Sequence, residues 1–113
     1  MEGKVCFKKL KEHCFEFPQE VMNVFTKILP LVDYIVYDSP SSVRFRHPGS
    51  VRSLILYLYA RSKERPVYKV AEEFKVAPEQ LYRIERALKR DGIYEKVIET
   101  AKKLLKVAEK KKS

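Results

Sequence analysis

The stretch VYKVAEEFKVAPEQLYRIER, Val67 to Arg86, decides how the rest of the chain is read. Apolar side chains recur at Val70, Phe74, Val76, Leu81 and Ile84, with the small Ala71 where two helices have to touch. Steps of three and four residues predict two short helices joined by a tight turn at Lys75-Val76-Ala77. Pro66 and Pro78 suit the starts of the two helices, where a missing N–H costs nothing. Glu79 and Gln80 then fall at the positive end of the second helix. Leu81, Ile84 and Leu88 form its inward stripe, and Gly92, after Asp91, is its stop signal. The outward stripe is Glu79, Tyr82, Arg83, Arg86 and Arg90, with Lys89 beside it. The pair thus presents a cationic helix to something anionic.

Working upstream, residues 50–63 predict a helix with Ser50 as N-cap. Val51, Leu54, Ile55, Leu58 and Tyr59 form its apolar stripe, widened by Leu56, Tyr57 and Ala60. So wide an apolar surface implies burial on more than one side, hence a central helix. Before it, Tyr34–Tyr37 and Val43–Arg46 are β-rich runs flanking a turn-rich Asp38-Ser39-Pro40-Ser41-Ser42. They predict a hairpin over 34–46, with Val43 and Phe45 on one face and Arg44 and Arg46 on the other. A helix is expected over about 18–31, ended or kinked by Pro30 near Leu29. Residues 5–15 suggest one short helix through Phe7, Leu10 and Cys14, although the alternation from Cys14 to Phe17 also suits an extended arm.

Downstream, Tyr94, Val97, Ala101, Leu104 and Ala108 recur in steps of three and four, as in a coiled-coil seam, with Ile98 and Leu105 alongside. A terminal amphipathic helix of this kind either closes the monomer core or pairs with a second copy. If it pairs, a homodimer would form through this seam or the helix at 50–63.

The totals agree with one folded domain over residues 1–113: an N-terminal part to 49, a core over 50–92 and a C-terminal helix and basic tail over 93–113. Hydrophobic residues are 45% and charged residues 35%, a folded rather than a disordered composition. Net charge is +9. Residues 1–50 hold 7 Lys/Arg against 6 Asp/Glu, and residues 51–113 hold 17 against 9, so nearly all the excess lies with the helix pair. That asymmetry favours a polyanionic partner. No apolar run is long enough for a membrane span, and no secretory h-region is expected, so a cytoplasmic protein is the default. Scarce amides, Gln19, Asn23 and Gln80, beside abundant Lys and Glu lean toward a thermophile. Cys6, Cys14, His13 and His47 match no common zinc spacing, so no metal or cofactor is expected. The cysteines are read as small buried hydrophobes, with a Cys6–Cys14 bridge left open as an alternative. With no Gly-rich phosphate loop, no paired histidine motif and no nucleophile beside a base, an enzyme is not expected.

Residues 67–86 resemble the helix-turn-helix of DNA-binding proteins of small prokaryotic or archaeal type. Ala71 occupies the small position of the first helix, Phe74 precedes the turn, Val76 lies in it, and Leu81 and Ile84 fix the second helix. Lys75 stands where glycine is usual and would accept φ > 0 at about 1 kcal/mol. Ala77 stands where a Ser or Thr cap is usual, forgoing roughly 1 kcal/mol. The resemblance implies a tri-helical helix-turn-helix core, which with the upstream β-hairpin and C-terminal amphipathic helix read above makes a mainly α fold. It implies double-stranded DNA as partner, with the helix 78–90 in the major groove and Pro78, Glu79, Tyr82, Arg83 and Arg86 at base edges or nearby phosphates. Lys89 and Arg90 would meet backbone phosphates, and Arg44 and Arg46 a second DNA contact. The bland alternative is a solvated face with pairs such as Glu85–Lys89. A nucleoid-associated, homodimeric transcriptional regulator is the expectation. The other reading is an adaptor of a segregation or replication complex that assembles through its apolar helices.

Overall fold

The computed structural model describes residues 2–11 and 13–111, without the side chains of residues 2, 9 and 107–111. Those residues form a mainly helical structure with a two-stranded antiparallel hairpin at its start. The strands are β1 (Glu2–Phe7) and β2 (His13–Pro18). The helices are α1 (Gln19–Asp33), α2 (Pro48–Ser62), α3 (Val67–Glu73), α4 (Pro78–Arg90) and α5 (Tyr94–Lys111). No helix among the described residues is long and apolar enough to cross a membrane.

α2 is the centre of the structure. Val51 and every residue from Ser53 to Ala60 are buried, and the helix touches α1, α3, α4 and α5. A helix apolar on nearly all sides is stable in water only when neighbours cover those sides. Its start differs from the expectation: the cap is His47, and Pro48 occupies the first turn, so Ser50 lies inside the helix.

The hairpin lies at the start of the chain and not at 34–46. Cys6 pairs with Cys14 and Val5 with Phe15 across the strands. Val5, Phe7, Phe15 and Phe17 alternate onto the buried face that meets α1. The helix expected over 5–15 reduces to one 3-10 turn at Lys8–Leu10, because the residues spaced for a helix also satisfy the two-residue period of the strands. Cys6 and Cys14 are joined in a disulfide.

The runs at 34–37 and 43–46 form no strand. α1 continues through Pro30 to Asp33, and Tyr34–Asp38 wind into a π-helical turn. Pro30 removes an N–H that would bond the Thr26 carbonyl, but both residues lie on the exposed side, where water can take its place. On the other side Leu31, Val32, Ile35 and Val36 are buried. Two adjacent inward residues, Ile35 and Val36, suit a helix and break the alternation of a half-buried strand. Ser39 closes the turn, its N–H donating to Tyr34 O and its hydroxyl to Ile35 O, both at 2.8 Å. Beyond it Phe45 is buried and Val43 is 60% exposed, so the two share no face.

Three helices end in the same way. The residue after each C-cap is left-handed: Glu64 (φ 55°), Lys75 (φ 57°) and Gly92 (φ 76°). Each then closes two backbone bonds. Lys75 N–H donates to Glu72 O at 3.2 Å and Val76 N–H to Ala71 O at 2.9 Å. Glu64 and Arg65 bond Arg61 O and Ala60 O, and Gly92 and Ile93 bond Lys89 O and Leu88 O. This is the Schellman closure, which satisfies carbonyls the helix end would otherwise orphan. Lys75 therefore does adopt the positive φ that the turn demands.

Candidate nucleic-acid interface

α4 is held by Leu81, Ile84 and Leu88, all buried where it meets α2 and α3. Each such side chain contributes about 1.5–3 kcal/mol when removed from water. With that stripe inward, the 3.6-residue period turns the polar residues outward. Pro78, Glu79, Arg83, Arg86, Lys89 and Arg90 are exposed, and Tyr82 is half-buried against the core. Ala77 caps α4 in extended geometry and provides no side-chain cap bond.

Four arginines converge. Arg44, Arg83, Arg86 and Arg90 line one shallow depression on the outer side of α4, with Ala87 between them. They differ in how far they are neutralised. Arg86 forms an ion pair with Glu79, seven residues earlier on the same helix. Arg44 is held by Asp91, Nε to Oδ2 at 2.8 Å and Nη2 to Oδ1 at 3.1 Å. Arg90 stands beside the same carboxylate, adding a favourable charge to it. Arg83 makes no hydrogen bond or ion pair among the described residues, so its charge is free. Arg46 is exposed but does not line the depression.

The turn before α4 is pinned from two sides. Arg52 of α2 donates from Nη2 to Phe74 O at 3.5 Å, and the Phe74 ring meets Tyr59 edge-on at 6.1 Å. The middle of α4 is pinned by a polar contact that the sequence does not reveal. Tyr57 of α2 and Tyr94 of α5 both donate to Glu85 Oε1, at 2.9 and 3.3 Å. Burial, and then hydrogen bonds with Tyr94 and Glu85, push the Tyr57 phenol far above its ordinary range, so it stays a donor at any working pH. The Glu85–Lys89 pair of the bland alternative does not form, because Glu85 is committed to the two phenols. Lys89 instead holds its Nζ over the Tyr94 ring at 4.9 Å. α4 is thus a cationic helix held by apolar contacts along its inner side, by Glu85 at its middle and by Asp91 just past its end.

The residues expected to form a dimer seam are otherwise engaged. Val97 and Ala101 are buried in the chain's own core, and Tyr94 is half-buried with its hydroxyl on Glu85. Leu104 is half-buried, and Ala108 lies outside the described side chains. The α2 surface is likewise consumed within the chain. α5 packs against α1 and α2 and so closes the chain's own core along its first half.

A second depression escaped the sequence reading. It opens where the start of α2 meets α4, and Gly49, Ser53, Gln80 and Arg83 are among its walls. Its one readable sign was Ser53, a lone hydroxyl inside the apolar run of α2. Family models, curated proteins and solved structures were all compared with the chain, and none matches it.

Proposed function

We propose that the chain binds double-stranded DNA sequence-specifically, as a transcriptional regulator does, laying α4 into the major groove. α2, α3 and α4 act in this reading as the tri-helical helix-turn-helix unit. The observation that carries it is the convergence of Arg44, Arg83, Arg86 and Arg90 on one exposed depression beside α4. Clustered like charges repel one another, and a polyanion relieves that repulsion. Arg83, the uncommitted guanidinium, is the primary contact to a guanine edge or phosphate. Pro78, Glu79 and Tyr82 reach base edges from the start of the helix, and Arg86, Lys89, Arg90 and Arg44 serve backbone phosphates. A second copy would extend the site read, and its contact would use the apolar groove that α1 and α5 leave between Leu31, Tyr34 and Leu104.

The test is duplex binding as a function of salt. With three to four phosphates neutralised, the logarithm of the binding constant falls against log salt with a slope of about −3. An affinity unchanged between low and moderate salt sinks the reading. Arg83→Glu abolishes binding while leaving the melting temperature in place, because its side chain supports nothing in the fold. The same α1–α5 groove favours a second reading, an adaptor that assembles on DNA. Sedimentation with long duplexes separates the two, since a spreading adaptor forms particles that grow with DNA length.

A further inference from the structure

The depression between the start of α2 and the middle of α4 has the chemistry of an oxyanion site. His47, Gly49, Ser50, Ser53, Gln80 and Arg83 line it, and no carboxylate does. α2 runs for 15 residues, so its N-terminus carries the partial positive charge of a full helix. That end is uncapped by any side chain. The N–H groups of Ser50 and Val51 turn back to His47 O, at 3.1 and 3.3 Å, while the Gly49 N–H has no partner among the described residues.

Ser53 supplies a second, independent sign. It is 6% exposed, lines the depression, and its hydroxyl makes no hydrogen bond among the described residues. A helical serine commonly returns its hydroxyl to the carbonyl four residues earlier, here that of Gly49. Ser53 does not. The residue is largely buried, and the opening it lines is this depression, where a ligand oxygen can take the place of water on its hydroxyl. The third group is Arg83, which borders both this depression and the arginine-lined one, and whose charge is uncommitted.

We infer that this depression binds a phosphoryl group, held by the Gly49 N–H, the Ser50 and Ser53 hydroxyls and the Arg83 guanidinium. These donors suit a tetrahedral oxyanion, because they arrive from two helices and include both fixed backbone dipole and mobile charge. The shared chemistry has two sources, a DNA backbone phosphate or free phosphate. As a backbone contact the inference rests on the DNA reading above; as an oxyanion site it does not. On DNA it would clamp α2 to a phosphate beside the groove that α4 enters, setting the register of the recognition helix.

The experiment titrates the full chain separately with inorganic phosphate at constant ionic strength and with a duplex, following backbone amide shifts. Saturable shifts are expected at Gly49 and Ser50. Ser53→Ala weakens the ligand that produces them by about tenfold, the value of one hydrogen bond to a charged acceptor. Ligand-free Ser53→Ala melts no lower than the parent, since the hydroxyl makes no hydrogen bond among the described residues and alanine is the better helix former. Phosphate saturation with no duplex binding keeps the site and removes the DNA reading. Duplex binding and phosphate titration that are both indifferent to Ser53→Ala overturn the site and leave the DNA reading standing. Failure of both ligands to move the Gly49 amide overturns the site as well.

Discussion

Arg44 and Asp91, 47 residues apart, are joined by two parallel hydrogen bonds that tie the loop before α2 to the end of α4. The Ser41 hydroxyl adds a third, to Oδ2 at 2.6 Å. The Arg44 hydrogen bonds, and then that of Ser41, hold the Asp91 carboxyl at about 2, below its ordinary 3.8. A depressed carboxylate pKa contributes stability that is fully present above the unfolded value and lost as pH falls toward the folded one. The loss therefore falls between about pH 4 and pH 2, where protonation breaks the tie. Urea midpoints measured across that window should drop more steeply for the parent than for Asp91→Asn, which has no such proton to gain. Equal slopes would mean that the tie contributes nothing to folding.

This pair also shows where sequence reading stops. Periodicity placed Arg83, Arg86 and Arg90 on one face of one helix, because three and four residues along a helix are always neighbours. Nothing local to Arg44 indicates that Asp91 will capture it, or that Glu85 will be taken by Tyr57 and Tyr94 instead of Lys89. The same division holds for the fold. The breadth of apolar surface on α2 identified the central helix, and the spacing around Lys75 identified the turn. The hairpin was misplaced because Tyr34–Tyr37 is rich in strand-formers, and β-propensity mostly records fit to a half-buried pleated surface. Burial of both Ile35 and Val36 selected a helical turn over that preference. At residues 2–18, Phe7 and Leu10 fit either period, and the pairing of Cys6 with Cys14 resolves what spacing alone leaves open.

Lys75 occupies a left-handed position in the turn between α3 and α4. Its Cβ carries a penalty that glycine avoids, of about 1 kcal/mol. The side chain is exposed and makes no ion pair among the described residues, so little is lost with it. Lys75→Gly should raise the melting temperature by about 4 °C, given the usual entropy of a domain this size. Lys75→Val, β-branched at the same φ, should lower it. A glycine variant no more stable than the parent would show that the greater freedom of the unfolded glycine chain offsets the relief of strain.

The Cys6–Cys14 disulfide closes a loop with a sequence separation of 8 across the hairpin. In the chain-entropy account a loop this short restricts the unfolded state by about 2.5 kcal/mol. The hairpin has only two strands, so its grip on α1 rests on Val5, Phe7, Phe15 and Phe17 plus this link. Reduction, or Cys6→Ala with Cys14→Ala, should lower the melting temperature by about 10 °C. Amide exchange should quicken in β1 and β2 before it does in α2. Identical melting of oxidised and reduced protein would show that the apolar contacts alone hold the hairpin in place.

Glu79 is the one acidic residue on the outward stripe of α4, and it is paired with Arg86. Both side chains are more than half exposed, so the pair contributes little to folding. Its effect lies in the surface potential, because it cancels one of the arginines facing the depression and places a negative charge where phosphate would approach. Glu79→Gln should leave the melting temperature within about 1 °C, as expected of an exposed substitution. On the DNA reading it should strengthen duplex binding at low salt and steepen the salt dependence by about one unit of slope, because Arg86 becomes available to displace a counterion. The advantage should shrink as salt rises, since screening removes the benefit of an exposed charge. One result would assign Glu79 differently: tighter binding to random duplexes with weaker binding to a selected site means that the carboxylate reads a cytosine edge. A variant indistinguishable from the parent on every duplex would place the outer face of α4 away from the DNA.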